Sequence, residues 1–249
     1  MYGIIDFSHS DPLYSAIEEK DLFIRAHPGE ILRRVLAGEL DGGMVSLVSC
    51  LRNPSLQLEK VATISSRGAT LSTLLVSSGK NLAPGMNIAT TAHTKTTSLY
   101  LSLILNAMNI PHTLNQGSST DAASLLKESD FALVIGDEAL SLYRSDLRIL
   151  LDIGYEFSRL FSLPPVYAVT VSGEGRDCSP YLRILRTAST EASKLREEAA
   201  GTLSRKLGIR KEIALSYYRN IKYNYDPVFD RTISVVAEHL KGIQTSGHR

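Results

Sequence analysis

Over the first two thirds of the chain, short apolar runs alternate with stretches whose apolar residues recur every three or four positions. Short apolar runs are typical of buried strands, and the wider spacing is typical of amphipathic helices. Because the two patterns alternate, the sequence predicts an α/β fold. The predicted strands cover residues 2–6, 22–26, 44–48, 62–66, 72–77, 111–114, 131–135, 147–153 and 166–171. The predicted helices cover residues 13–19, 29–37, 139–143 and 155–161, and another ends at Lys127 with Ser119 or Thr120 as its cap.

The last third of the chain has a different pattern, with long helical spacing from Pro180 onward. Helices are predicted over residues 181–207, 211–218 and 226–241, and Gly208 is a suitable stop for the first of them. These helices cannot form a sheet of their own, so we expect them to pack on an earlier part of the chain.

Two polar, glycine-containing stretches, at residues 79–85 and 172–177, indicate boundaries between lobes. Two lobes joined by two crossing segments leave a cleft between them, and clefts of this kind bind ligands. The sequence therefore predicts a first lobe over residues 1–77, a second lobe over 78–172, and a mainly helical return to the first lobe over 173–249.

The most informative stretch runs from residue 88 to residue 105. Its first half is rich in threonine, and its second half is an uninterrupted apolar run of helical length. The pattern predicts a strand ending near Thr90 and a helix starting between Thr94 and Thr97. Hydroxyl groups and free backbone N–H groups would then meet at the positive end of a helix dipole, where a carboxylate or phosphate binds well. The alternative is that Thr94 or Thr96 only caps the helix.

Other polar candidates follow predicted strands. His9 and Ser10 lie in the loop after the first strand, and Ser46 lies near the end of the strand over residues 44–48. Open α/β sheets bind ligands at the carboxyl ends of their strands, so these side chains are candidate ligand contacts. Ser10 can instead cap the helix that follows. His93 is expected to be structural or exposed to solvent rather than catalytic.

Composition narrows the range of possible functions further. The net charge is +1, which gives no indication of a nucleic-acid surface or a polybasic membrane patch. The first residues lack the features of a signal peptide, and no apolar window reaches the length of a membrane span. The two cysteines, Cys50 and Cys178, are expected to be free thiols in a reducing compartment. We expect a soluble cytoplasmic protein with a small-molecule ligand and with no metal, cofactor, nucleic-acid or membrane partner.

Several short sequence pieces, in their order along the chain, resemble a known family. The most specific is Gly-Asp-Glu-Ala-Leu at residues 136–140. The others include Gly-Glu-Leu-Asp at 38–41, Arg-Asn-Pro at 52–54, Ser-Thr-Leu-Leu at 72–75, residues 91–97, Asp-Ile-Gly at 152–154 and Tyr-Tyr at 217–218. Together they are similar to the menaquinone-biosynthesis family that contains chorismate dehydratase of the futalosine pathway.

The resemblance implies a two-lobed fold like that of type II periplasmic binding proteins, used inside the cell as an enzyme, with the C-terminal helices packed on the first lobe. The family's reaction removes water from chorismate and gives 3-[(1-carboxyvinyl)oxy]benzoate. Chorismate carries two carboxylates, which agrees with an anion site at the start of the threonine-rich helix.

The resemblance also assigns roles to single residues. Ser72 matches a serine that the family presents to the substrate, and Ser46, Thr96 and Thr97 match hydroxyl positions. In the predicted mechanism Thr94, Thr96 and Thr97 hold one carboxylate, and Ser46 and Ser72 hold the other. His9 stands where the family usually has asparagine. It would hydrogen-bond the departing hydroxyl, or protonate it if its pKa is near neutral, with Ser10 beside it.

The base that removes the ring proton is not evident from the sequence. The side-chain carboxylate of the substrate is one candidate, and Asp137 or Glu138 is a less favoured one. Two other functions are compatible with the same fold. One is the dihydroxynaphthoate synthase of the same pathway, which a catalytic histidine would suit. The other is a binding protein that holds a carboxylate solute without reaction.

Overall fold

The computed structural model describes residues 1–91 and 93–246. The strands are β1 Tyr2–Ile5, β2 Phe23–Ala26, β3 Gly42–Ser46, β4 Gln57–Ser66, β5 Thr73–Ser77, β6 Met86–Thr90, β7 His112–Gln116, β8 Phe131–Ile135, β9 Arg148–Asp152, β10 Val166–Ser172 and β11 Ile221–Asn224. The α-helices are α1 Asp11–Ser15, α2 Pro28–Leu36, α3 Leu47–Leu51, α4 Lys95–Ala107, α5 Ala122–Glu128, α6 Gly136–Ser141, α7 Ile153–Phe161, α8 Ser179–Glu191, α9 Arg196–Leu207, α10 Lys211–Asn220 and α11 Phe229–Ser246.

The strands form two mixed sheets, which confirms the predicted α/β class. The first sheet has the order β11-β4-β10-β3-β1-β2, and the second has the order β7-β6-β8-β5-β9. In the first sheet β1 runs parallel to β2 and β3, whereas β10 runs antiparallel to β3 and β4. In the second sheet β6 runs parallel to β7 and β8, whereas β5 runs antiparallel to β8 and β9.

Two strands lie in the opposite lobe from the one that the predicted boundaries gave them. The boundaries 1–77, 78–172 and 173–249 put β5 in the first lobe and β10 in the second, but β5 pairs within the second sheet and β10 within the first. The chain therefore crosses between lobes at residues 67–72 and 162–165, one strand earlier in each case. The glycine-containing stretches that suggested the boundaries are loops within a lobe, because glycine favours any tight turn.

The C-terminal helices pack on the first lobe, as predicted. Helix α8 contacts β4 and β11, and α11 contacts α3 and β10. The single helix predicted over residues 181–207 is in fact two, α8 and α9, separated by a 3₁₀ turn at Ala192–Leu195. Apolar spacing continues through this turn, so the sequence pattern did not reveal it. Among the described residues, no helix is both long enough and apolar enough to span a bilayer.

Tyr100 of α4 joins the second lobe to the start of β10. Its buried hydroxyl donates to the carbonyl oxygen of Val166 at 2.8 Å and accepts from the backbone N–H of the same residue at 2.9 Å. The ring packs against Phe157 with a centroid distance of 4.5 Å. One hydroxyl therefore satisfies both backbone groups of the residue at which the second crossing enters the first sheet.

We expect Tyr100→Phe to lower the free energy of unfolding by about 1–3 kcal/mol, because it leaves two buried backbone groups unpaired. Tyr155→Phe is the matched control, since the Tyr155 side chain is 52% exposed. Urea denaturation of the two variants measures the difference. Equal stability of the two variants would contradict this account of the Tyr100 hydroxyl.

Candidate functional site

A cavity of about 430 Å³ lies between the two lobes, and we call it the central cavity. Residues of both sheets line it, including the ends of β1, β3, β4 and β8 and the first turn of α4. Its polar lining consists mainly of hydroxyl groups and imidazoles. The hydroxyl-bearing residues are Ser46, Ser65, Thr70, Ser72, Thr73, Thr91, Thr96, Thr97, Thr120 and Tyr167. Among the residues that line it, none carries an ammonium or guanidinium group.

Helix α4 begins where the threonine pattern predicted and brings its first turn to the cavity. Thr96 and Thr97 are buried and line the wall. The Thr96 hydroxyl accepts the backbone N–H of Val48, in α3 of the first lobe, at 3.2 Å. No described residue takes up the Thr97 hydroxyl. The start of a helix of thirteen residues, with such a hydroxyl beside it, can bind an anion.

Two of the predicted binding residues do not line the cavity. The Thr94 hydroxyl closes the turn before α4, donating to the Thr91 carbonyl at 2.7 Å and accepting from the Ser98 hydroxyl at 3.0 Å. Ser10 is fully buried behind the loop after β1, where its backbone N–H bonds to the Phe7 carbonyl at 2.8 Å. The sequence placed both residues near the site, but it did not show which way their side chains point.

His9 lines the cavity, and its Nε2 is buried without a hydrogen-bond partner. Burial lowers the pKa of the imidazole to about 4, an effect that the Asp137 carboxylate opposes and the Arg25 guanidinium increases. The loop is held by the Tyr223 hydroxyl, which donates to the His9 carbonyl at 3.0 Å. His9 is therefore a neutral polar group at pH 7, and its buried Nε2 has no hydrogen-bond partner among the described residues.

Two further histidines line the cavity, and the sequence pattern identified neither as a ligand contact. His27 precedes α2, and its Nδ1 accepts the Gly29 N–H at 3.2 Å, which leaves a buried Nε2 without a partner. Its ring lies 4.1 Å from that of His93, which belongs to the second lobe. Burial lowers the pKa of His27, and His93 lowers it further. The only local signal for His27 was its place before a proline at a helix start.

Asp137 connects the two lobes at the edge of the cavity. Its Oδ2 accepts from the Ser8 hydroxyl at 2.8 Å and forms an ion pair with Lys206 of α9 at 2.7 Å. Its Oδ1 is buried and unpartnered. The neighbouring Glu138 accepts the N–H of Ala122 at 3.0 Å, at the start of α5. Asp137 therefore helps to hold the lobes together through Oδ2, while its buried Oδ1 has no partner among the described residues.

Asp152 fixes the crossing segment that carries Ser72. Its carboxylate accepts the backbone N–H of Thr70 at 2.9 Å and that of Leu71 at 2.6 Å. Leu71 has φ of 62°, a left-handed conformation that costs a leucine energy. A Cβ at Gly154 would overlap the Thr70 hydroxyl. The start of α7 can therefore lie this close to the crossing segment only because residue 154 is glycine. Ser72 then lines the cavity, and its carbonyl accepts the Gly136 N–H at 2.8 Å.

Within the described part of the chain, no three histidine, cysteine, aspartate or glutamate side chains converge as a metal site requires. The described lining of the central cavity consists of neutral donors and acceptors, the carboxylates of Asp137 and Glu138, and the start of α4. Within this lining, the start of α4 is the element that can bind an anionic group.

The chain matches the sequence profile of a family described as menaquinone biosynthesis, over residues 2–238. It belongs to the menaquinone-biosynthesis family. The resemblance seen in the short sequence pieces is thereby confirmed. A comparison with curated protein sequences gives no match.

Solved structures with the same fold confirm the two-lobed architecture of this menaquinone-biosynthesis family member. Protein AF1704 from Archaeoglobus fulgidus is 15% identical over 98% of this chain and 97% of its own, with a TM-score of 0.76. The periplasmic aliphatic sulphonate binding protein SsuA from Escherichia coli is 13% identical over 98% of this chain and 87% of its own, with a TM-score of 0.68. A Candida albicans protein with the generic periplasmic binding protein fold is 13% identical over 96% of this chain and 88% of its own, with a TM-score of 0.59. At these identities the comparisons establish the fold alone.

Five of the residues predicted for the site of this family member line the central cavity together: His9, Ser46, Ser72, Thr96 and Thr97. Ser46 is partly committed to the fold, since its hydroxyl donates to that of Ser49 at 2.8 Å and caps α3. Their roles toward a ligand remain predictions, and they form the basis of the proposal that follows.

Proposed function

We propose that this protein is a hydro-lyase of the cytoplasm that removes water from chorismate and releases 3-[(1-carboxyvinyl)oxy]benzoate. The observation that carries the proposal is the convergence of the α4 start, several hydroxyls and a neutral His9 in one cavity between the lobes. Membership of the family supports a role in menaquinone biosynthesis. A volume of about 430 Å³ lies within the usual range for small-molecule sites, roughly 300–1,000 Å³.

The cavity can hold a dianion without a cationic side chain. The start of α4, with the Thr96 and Thr97 hydroxyls, would hold one carboxylate, and Ser72 would donate to the other. Hydrogen bonds to an ionised group contribute more than neutral ones, about 1.5–3 kcal/mol each. Neutral donors of this kind orient the substrate and leave its charge in place for the reaction.

The reaction breaks one C–H bond and one C–O bond on adjacent ring carbons. The ring carbon that bears the ether loses its proton, the neighbouring carbon loses its hydroxyl, and the ring becomes aromatic as water leaves. Neutral His9 would hydrogen-bond the departing hydroxyl, and its low pKa disfavours the alternative of a protonated histidine that donates a full proton. The side-chain carboxylate of the substrate can accept the ring proton, and Asp137 is the alternative base, through its unpartnered Oδ1.

Incubation of the purified protein with chorismate tests the proposal, with loss of the diene absorbance and the mass of the product as readouts. Formation of the enolpyruvyl benzoate is the expected result. If chorismate is unchanged but raises the Tm, the protein binds carboxylates without reaction. If chorismate neither reacts nor raises the Tm, the substrate is wrong, and the dihydroxynaphthoate synthase reaction is the next candidate.

We expect Thr97→Val to lower kcat/KM for chorismate by roughly ten- to a hundredfold, since it removes one hydrogen bond to an ionised carboxylate. Thr94→Val is the matched control, because the Thr94 hydroxyl bonds to its own turn and lies away from the cavity wall. Steady-state kinetics on both folded variants measure the ratio. An equal loss of kcat/KM in the two variants would contradict the placement of the carboxylate.

A further inference from the structure

A second cavity, of about 650 Å³, lies in the first lobe, and we call it the rear cavity. Strand β11 contributes to both cavities, since Ile221 lines the central one and Lys222 lines the rear one. Arg67 and Pro164 also line the rear cavity, and these residues belong to or border the two crossing segments. The rear cavity is therefore next to the points where the chain leaves and re-enters the first lobe.

Three cationic side chains face the rear cavity: Arg67, Arg196 and Lys222. Among the described residues, none of the three forms an ion pair. The Arg196 Nη2 donates to the Ile221 carbonyl at 3.2 Å, while its Nε is buried without a partner. Burial lowers the pKa of Lys222, and the two guanidinium groups lower it further. The cations therefore repel one another, and the fold supplies little to offset that repulsion.

The acidic side chain at this cavity does not neutralise the cluster. Asp226 lines the wall, but its Oδ1 accepts the Val228 N–H at 3.0 Å, in the turn before α11. Some surface arginines and lysines elsewhere in this chain do have carboxylate partners, for example Arg33 with Glu39 at 2.9 Å. Three unpaired cations that converge on a concave wall indicate an anion that comes from outside the chain.

We infer that the rear cavity is a second ligand site, which binds a small phosphate-bearing anion through Arg67, Arg196 and Lys222. Guanidinium groups bind phosphate oxygens with two parallel hydrogen bonds, and an ammonium group adds a compact charge. The cavity is concave and of small-molecule size. This shape favours a phosphorylated metabolite or free phosphate as the ligand, rather than the flat surface of a partner protein. This site is independent of the reaction proposed for the central cavity.

Phosphate and pyrophosphate are the probes that test the site on the full chain. The Tm is measured as each is titrated at constant ionic strength, with sodium chloride as the reference salt. We expect a saturable rise in Tm with both anions and none with chloride, and pyrophosphate is expected to bind more tightly because it carries more charge. The absence of a saturable rise with either anion would overturn the inference.

Variants of the lining residues test whether pyrophosphate binds in the rear cavity. Arg67→Gln and Lys222→Gln are each expected to raise the Kd for pyrophosphate roughly tenfold or more, since each removes a charged hydrogen-bond donor. Arg67 is exposed and its side chain bonds to no described residue, so its replacement leaves the fold intact. Lys211→Gln is the matched control, because Lys211 is exposed and lines neither cavity. An unchanged Kd in both rear-cavity variants would overturn the inference.

Thr97→Val separates the two cavities. We expect this variant to keep the wild-type Kd for pyrophosphate, since Thr97 lines only the central cavity. One outcome is that Thr97→Val weakens the binding of pyrophosphate while Arg67→Gln and Lys222→Gln do not. In that case the anion binds between the lobes, and the rear cavity is excluded as its site. Turnover of chorismate plays no part in this test, so its outcome does not depend on the proposed reaction.

Discussion

Asp152→Ala is expected to lower the free energy of unfolding by about 3–5 kcal/mol. The carboxylate accepts three backbone N–H groups: those of Thr70 and Leu71 in the first crossing segment, and that of Tyr155 at 3.0 Å in the first turn of α7. Alanine leaves these donors unpaired in a partly buried place. It also removes the contact that holds Leu71 in its left-handed conformation.

Asparagine is not expected to restore the lost stability. All three partners of the Asp152 carboxylate are donors, so an acceptor is needed on both of its oxygens. An amide has one acceptor oxygen, and its NH₂ group would face an N–H group. Burial raises the pKa of Asp152, and the backbone N–H groups that its carboxylate accepts oppose this rise.

Asp121→Ala is the matched control for Asp152. Asp121 also caps a helix in the second lobe, accepting the Ser124 N–H at 2.8 Å, but it makes no bond to a crossing segment. Its loss should cost less than that of Asp152, because a single helix-cap bond is removed. Chemical denaturation of the two variants gives the comparison. If Asp152→Ala costs no more than Asp121→Ala, the crossing segment does not depend on the carboxylate.

The sequence pattern predicted the elements that follow from local chemistry. The threonine cluster and the apolar run after it predicted both the end of β6 near Thr90 and the start of α4. Gly208, with φ of 63°, ends α9 as predicted. These features depend on capping and on helical spacing within one stretch, so a single sequence reveals them.

Features set by distant parts of the chain were not predicted. Strand β11 has only four residues and exists because it pairs antiparallel with β4, far away in the sequence. The predicted cap of α5 was Ser119 or Thr120, but Asp121 is the cap, and the Ser119 hydroxyl donates to its carboxylate at 2.6 Å. Neighbouring polar residues compete for one cap, and the backbone angles decide between them.

The candidate site was predicted in part for the same reason. Ser72, Thr96 and Thr97 reach the cavity because each lies at the end of an element that faces the cleft. His27 lies before α2 and meets His93 only when the lobes come together, so no spacing along the chain could pair them. A cavity built from two lobes depends on tertiary contacts, which the sequence pattern does not encode locally.

Acidification from pH 7 to pH 4 is expected to destabilise the wild type more than His9→Asn, by about 3 kcal/mol. The pKa of His9 is about 4 in the folded protein, against about 6.5 in an unfolded chain. Between these values the unfolded state binds a proton that the folded state does not, so stability falls as the pH drops through this window. The difference of about 2.5 pH units, at about 1.4 kcal/mol per unit, sets a limit of about 3.5 kcal/mol, and about 3 kcal/mol of it is lost by pH 4, where folded His9 is half protonated. Asparagine does not titrate, so the variant lacks this contribution.

Denaturation at several pH values measures the difference between the two proteins, and the ring proton resonances of His9 report its protonation directly. Parallel stability curves for wild type and His9→Asn between pH 6.5 and pH 4 would show that His9 is not held neutral.

The direction of the His9 pKa shift matters for the proposed reaction. A histidine that stays neutral down to about pH 4 can donate its ring N–H in a hydrogen bond to a leaving hydroxyl at pH 7, but this N–H is too weak an acid to protonate that hydroxyl. Departure of water would then be driven by aromatisation of the ring and by the orientation of the bound substrate, with His9 in a positioning role.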